Sequence, residues 1–256
     1  MIRVYYDPIK GEDLPVIGTR TYGIIDGATP VGGSKHMLLD YIRQFSRFLI
    51  KYEKVSLRES VDYALTVTDY PEYRQLKPWE KPSAAAGVVR VFDDRIETFR
   101  AADVVIIVDV DGKIYTLNDS SVEKYDKLAW DEMKKLIKGG KTYEEAYKIV
   151  SEKILRKNRE LIGKEYFPIY PGGRVDMYKF KEFYYSDYVQ VAIMSDGFYR
   201  FFLFTELPVE KIFEVAPESI IAELRDIEED VIPETVDFPF FGRHDDASLV
   251  IFDRKV

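Results

Sequence analysis

Apolar and polar positions along this chain change period several times, and each change predicts an element. Residues 2–6 are β-branched and aromatic, and 19–25 alternate up to Asp26-Gly27, so both stretches predict strands, the second ending in a turn. From Ser34 the period becomes helical: Leu38, Tyr41, Ile42, Phe45, Phe48, Leu49 and Tyr52 recur at spacings of three and four and mark one buried face. Ser56-Leu57-Arg58-Glu59 has the form of a capping box and opens a second helix, which fades at Tyr70-Pro71. A Pro-containing connector without period runs on to Pro82.

Strand signals return over 85–92, 95–100, 104–110 and 113–117, with turns at Asp93-Asp94 and Asp111-Gly112, and predict an antiparallel meander. A second helix pair follows, opened by Ser120-Ser121-Val122-Glu123 and by Thr142-Tyr143-Glu144-Glu145 and divided by Gly139-Gly140. Strands are predicted over 174–180, 188–194 and 247–252, with a helix over 218–230. Strand blocks joined by hairpin turns, each followed by helices, predict an α+β fold: two packed antiparallel sheets flanked by helix pairs, in one domain spanning 1–256.

Composition narrows the chemistry. A net charge of −8 without a Lys/Arg-rich block argues against nucleic-acid binding. No apolar run is long enough for a membrane span or a signal peptide's apolar core, so a cytoplasmic protein is expected. There is no cysteine, which removes thiol nucleophiles, disulfides and thiolate metal sites. With only His36 and His244, a histidine-rich site has few ways to form, and catalysis must lean on carboxylates. Asn and Gln together number only five, as in proteins from hot environments.

Three carboxylates stand where an apolar strand stops or starts. Gly23-Ile24-Ile25 leads into Asp26-Gly27, the run from Val189 to Ser195 leads into Asp196-Gly197, and Asp245-Asp246 precedes the run from Ala247 to Phe252. A glycine after the aspartate permits a sharp turn that brings the backbone carbonyl close to a cation. Hard oxygen donors of this kind select Mg²⁺ or Mn²⁺, and two such ions can hold a hydroxide for in-line attack on phosphorus. Asp-Gly is also the commonest hairpin turn, and Asp111-Gly112 is read as that alone.

The order of these pieces resembles the PP2C (PPM) protein phosphatases over nearly the whole chain. Gly11-Glu12-Asp13 sits at the family's early Glu-Asp pair. GIIDGATP, from Gly23 to Pro30, resembles the strand that supplies a bridging carboxylate, Asp26, and a carbonyl ligand, Gly27. KPSAAAGVVRV and Ala101-Ala102-Asp103 resemble a small-residue strand and a Gly-Asp-Ser segment, which places Asp103 at a third ion. VAIMSDGFYRFF resembles the strand ending in Ser-Asp-Gly, whose aspartate, here Asp196, binds metal. HDDASLVIF resembles the closing Asp-Asn-x-Thr strand and carries a metal role onto Asp245 and a supporting role, shared with Glu12 and Asp13, onto Asp246.

The resemblance implies a phosphatase that hydrolyses phosphoserine and phosphothreonine in protein substrates. It would use two Mg²⁺ or Mn²⁺ ions, and Asp26 and Asp196 would be its catalytic carboxylates. The pattern breaks in three places. Pro8 replaces an arginine that binds substrate phosphate, leaving Lys10, Arg3 or Arg20 to supply that charge. Ala28 replaces a histidine proposed as general acid, a role for which His244 is the candidate. Arg200 stands where some members have another metal-binding aspartate. A regulatory or binding module that has kept the fold and lost catalysis is therefore the alternative. His36 is read as the polar start of a helix, Tyr63, Tyr143 and Tyr147 as packing residues, and Glu228-Glu229-Asp230 as a solvated helix end.

Overall fold

The structure, a computed structural model, describes residues 1–231 and 244–255. Ten strands form two five-stranded antiparallel sheets. One sheet holds β1 (Ile2–Asp7), β10 (Ala247–Lys255), β9 (Tyr188–Met194), β6 (Val105–Val110) and β7 (Lys113–Leu117), in that order. The other runs β2 (Asp13–Ile17), β3 (Thr21–Ala28), β4 (Ser83–Val91), β5 (Arg95–Ala101) and β8 (Lys179–Tyr184). The predicted meander is thus two hairpins, β4-β5 and β6-β7, in different sheets. Asp111 and Gly112, with φ of 49° and 85°, make the expected turn between β6 and β7.

Side-chain parity assigns the layers. Tyr22 and Ile24 of β3, Val191 and Ile193 of β9, and Val250 of β10 share one core between the sheets. Ile25 and Val16 face outward and pack under α1 (Lys35–Lys51) and α2 (Leu57–Thr68), whose stripe of Leu38, Tyr41, Ile42, Phe45 and Leu49 is buried as the period predicts. Ser34 caps α1, and Ser56 and Glu59 complete the capping box of α2. His36 lies in the first turn of α1, beside Asp40. Tyr63 packs against Tyr52 and Phe48, within this helix pair. The connector holds a short helix, α3 (Pro71–Arg74), and a 3₁₀ turn, Pro78–Glu80.

The other sheet is covered by a pair of which the periodicity predicts only the second helix, over 218–230. Met194, Leu249 and Ile251 pack under α7 (Asp196–Thr205) and α8 (Pro217–Val231), through Phe198, Phe201, Phe202, Ile220 and Leu224. The predicted second pair, α4 (Glu123–Lys138) and α5 (Tyr143–Val150), instead has a small core of its own around Ala129, Trp130, Met133, Ala146 and Val150. Thr142 and Glu145 form the capping box of α5. Before α4 the box does not form: Val122 is the cap residue and makes no side-chain cap bond. After α5 the chain continues through a wide turn, Ser151–Leu155, into α6 (Arg156–Arg159).

Two strand boundaries also differ from expectation. Residues 175–177 form a 3₁₀ turn, so β8 starts at Lys179. The strand β2 lacks a strong period of its own and is held by pairing with β3. Among the described residues, no helix is long and apolar enough to cross a membrane.

Candidate metal and phosphate site

Asp26 lies two residues beyond Ile24 on β3, so parity turns its side chain between the sheets at the end of the sandwich. Its partner across the ladder with β4 is Ala85, and with β2 is Asp13. The small residues of β4 leave room there for a cavity of about 880 Å³. Glu12, Asp26, Gly27, Asp103, Asp196 and Asp245 all line it. Five separate segments of the chain thereby meet at one cavity.

The glycines after Asp26 and Asp196 serve a purpose other than turning. Asp26-Gly27 is inside a strand and Asp196-Gly197 opens a helix, and neither glycine is among those with positive φ. A Cβ on Gly27 would come within 2.8 Å of the Glu12 carbonyl oxygen, and one on Gly197 within 2.1 Å of the Asp246 carbonyl oxygen. Close approach of neighbouring backbone is what requires glycine at both places.

Asp246 holds the front of the cavity together. Its Oδ1 accepts the N–H groups of Ile9, Lys10 and Gly11 at 2.6, 2.6 and 2.9 Å, and its Oδ2 those of Glu12 and Asp13 at 2.5 and 3.0 Å. Burial pushes this carboxyl up, but the backbone donors outweigh burial and hold it below the usual range. Glu12 accepts from the Thr29 hydroxyl, and its carboxyl is raised, chiefly by burial, against the pull of Thr29, Lys10 and Lys35. These bonds fix the loop that carries Lys10 and Glu12 to the cavity.

The acidic groups repel one another. Burial raises Asp26 well above the carboxylate range, and the charges of Asp13, Asp196, Asp245 and Asp103 add to it. Asp103 is raised by burial and then by Asp196 and Asp126. Asp13 is pushed up to about 8, again mainly by burial. The preceding residue, Ala102, takes φ of 56°, a conformation that costs a non-glycine residue about 1 kcal/mol and turns the chain at Asp103.

These donors fit a hard divalent ion in kind. All are oxygens, they come from separate segments, and among the described residues no lysine or arginine pairs with Asp26 or Asp103. Among the same residues no three acidic or histidine side chains are gathered into a ready-made ion site, so the fit is one of donor chemistry and convergence.

Positive charge collects at the other end. Lys10 Nζ lies 2.9 Å from Asp245 Oδ2, and Arg200 Nη2 lies 3.1 Å from the same oxygen and 3.9 Å from Asp196 Oδ2. Neither Arg3 nor Arg20 lines the cavity, whereas Lys10 does. His244 also borders it and is bonded at Nδ1 to Glu228 at 2.9 Å.

Glu228 is fully buried, with Arg225 at 2.5 Å, which corrects the reading of a solvated helix end at that residue, whereas Glu229 is exposed. The side chain of Asp230 lies outside the described residues. Tyr143 and Tyr147 stack on each other and line the cavity, so they are not confined to packing. Arg159 is a site residue that no sequence signal marks. Its guanidinium donates to the carbonyls of Ala28 and Thr29 at 2.9 and 2.7 Å and to Ser83 Oγ at 3.1 Å, tying α6 to the strand that carries Asp26.

No protein-family model matches the chain, and no curated protein matches it by sequence. Solved structures do. The catalytic domain of the serine/threonine protein phosphatase PstP, in complex with two manganese ions, superposes with a TM-score of 0.56. It is 14% identical, over 100% of this chain and 98% of that one. The Mycobacterium tuberculosis phosphatase PstP/Ppp gives 0.55 at 16% identity, covering 98% and 97%. Stp1 from Staphylococcus aureus gives 0.54 at 13%, covering 98% and 93%. The fold is therefore that of the PP2C-type serine/threonine phosphatases, with two antiparallel sheets between helix layers.

Proposed function

We propose that this protein is a divergent PP2C-type phosphatase that hydrolyses phosphoserine and phosphothreonine monoesters with a divalent metal, Mn²⁺ or Mg²⁺. The observation that carries the reading is the meeting of Asp26, Asp103, Asp196 and Asp245, from four separate segments, in one cavity. The manganese-bound PstP domain supports it, because the two chains share a fold from end to end.

Asp26, Asp103 and Asp196 would hold the ion, with the Gly27 carbonyl and Asp245 at its margin. A divalent ion held there would lower the pKa of bound water, so that a hydroxide nucleophile would be available at neutral pH. The chain's own residues do the rest. Asp246 fixes the loop bearing Lys10 and Glu12, and Arg159 fixes the backbone beyond Asp26. Lys10 takes the part of the absent phosphate arginine, since it lines the cavity at its cationic end. The tyrosines of α5 line the cavity wall, where they offer apolar surface with a polar tip to the residues flanking a phosphorylated side chain.

The test is phosphate release from phosphoserine and phosphothreonine peptides, with Mn²⁺ and after chelation. Release that requires Mn²⁺ is expected. Saturable Mn²⁺ binding without release would favour a binding module on the same fold, and absence of both would overturn the metal reading.

A further inference from the structure

The two ends of the cavity differ in how their carboxylates are balanced. At Asp245 both oxygens are engaged by the protein itself. Oδ2 meets Lys10 at 2.9 Å and Arg200 at 3.1 Å, while Oδ1 accepts the Asp246 N–H at 3.0 Å. Arg200 is 3% exposed and sits one helical turn beyond Asp196 on α7. On its far side Nη1 lies 3.7 Å from Glu228, which is 0% exposed and is itself held by Arg225 and His244. The guanidinium is thus anchored from two directions, and swinging it out would uncover a buried carboxylate. Among the described residues, no lysine or arginine forms an ion pair with Asp26 or Asp103.

Resting on the metal reading above, we propose that Lys10 and Arg200 form a built-in cation at the Asp245 end that stands in for one divalent ion. The chain then takes a single divalent ion, on the side of Asp26, Asp103 and Asp196. An ion arriving at Asp245 must displace two hydrogen-bonded cations, or accept both as like-charged neighbours in a site where Arg200 is nearly sealed from water. An ion arriving between Asp26, Asp103 and Asp196 meets Arg200 only at the looser 3.9 Å contact with Asp196 and displaces no cation from Asp26 or Asp103. The ammonium and guanidinium also line the cavity, so their charge faces an incoming phosphate without a second ion.

Counting ions tests this without reference to activity. Mn²⁺ is titrated into the metal-free full chain by calorimetry, with free Mn²⁺ measured in parallel by electron paramagnetic resonance. One tightly bound ion per chain is expected, lost in Asp26→Asn. In Lys10→Ala, a change at a partly exposed side chain, a second and weaker event is expected to tighten about tenfold, the scale on which one nearby charge moves another group's equilibrium. In Lys10→Ala/Arg200→Ala the count is expected to rise to two. Should loss of Arg200 unfold the chain, as a thermal melt would reveal, the wild-type count and Lys10→Ala decide. Two ions of similar affinity in the wild type would overturn the inference and leave the metal reading standing, as would a second event unmoved in Lys10→Ala. No saturable binding at all would overturn both.

Discussion

Replacing Asp246 by asparagine restores the residue of the PP2C closing pattern, yet the geometry predicts a large loss of stability. The carboxylate accepts three backbone N–H groups at Oδ1 and two at Oδ2, and the residue is 2% exposed. An amide retains one acceptor oxygen. In its better orientation it keeps the bonds from Ile9, Lys10 and Gly11 and turns an NH₂ group against the N–H groups of Glu12 and Asp13. Two charge-assisted bonds, each about 1.5 to 3 kcal/mol, are then lost. Relief of repulsion with Asp13 offsets part of this, which leaves a net cost of about 3 kcal/mol.

Urea denaturation at neutral pH measures that cost as a lower midpoint at unchanged slope. The pH dependence has a fixed sign. Because the folded carboxyl lies below its unfolded value of about 3.9, its contribution is complete above that pH and is lost as pH falls through the folded value. The gap between wild type and Asp246→Asn is therefore widest at neutral pH and narrows in acid. A gap below about 1 kcal/mol at pH 7, within the range of an ordinary surface change, would refute the reasoning, as would a gap that widens on acidification.

The carboxylates of the cavity predict the opposite trend. Asp13, at about 8, and Asp26 and Asp103 bind protons more tightly folded than unfolded, so the metal-free protein loses stability as pH rises from about 4 to about 8. Asp103→Asn removes part of that cost and should stabilise the metal-free protein at pH 8 by about 1 to 2 kcal/mol, read as a higher melting temperature, while weakening stabilisation by Mn²⁺. Arg159→Met removes the bonds to Ala28, Thr29 and Ser83. It should cost about 2 to 3 kcal/mol in urea denaturation and speed proteolysis within 123–159, and unchanged proteolysis there would contradict the role given to Arg159.

Much of this architecture was legible where a local rule governs. Ser56 and Thr142 cap the helices they were read to cap, and Asp111-Gly112 turns its hairpin, because caps and tight turns depend on a few adjacent residues. The helix at Asp196 was missed because Phe198, Phe201 and Phe202 follow an apolar strand without a polar break, so the period has no clean starting point. Which helix pair covers the second sheet depends on long-range packing that periodicity does not carry.

At the site, the aspartates were singled out through their order and their place beside apolar strands. Their balance was not. That Lys10 and Arg200 share one oxygen of Asp245, or that Glu228 is buried between Arg225 and His244, follows only from how α7 and α8 lie on β10. Arg159 crosses from a helix over a hundred residues away in sequence to reach Ala28, a contact no spacing announces.

These aspartates are proposed to form a metal-dependent phosphatase site. The most direct test is phosphate release from a phosphothreonine peptide by wild type, Asp26→Ala and Asp196→Ala, with the fold of each checked by its thermal melt. Mn²⁺-dependent release by the wild type and loss of release in both folded variants are expected. Undiminished release by folded Asp196→Ala would contradict this proposal.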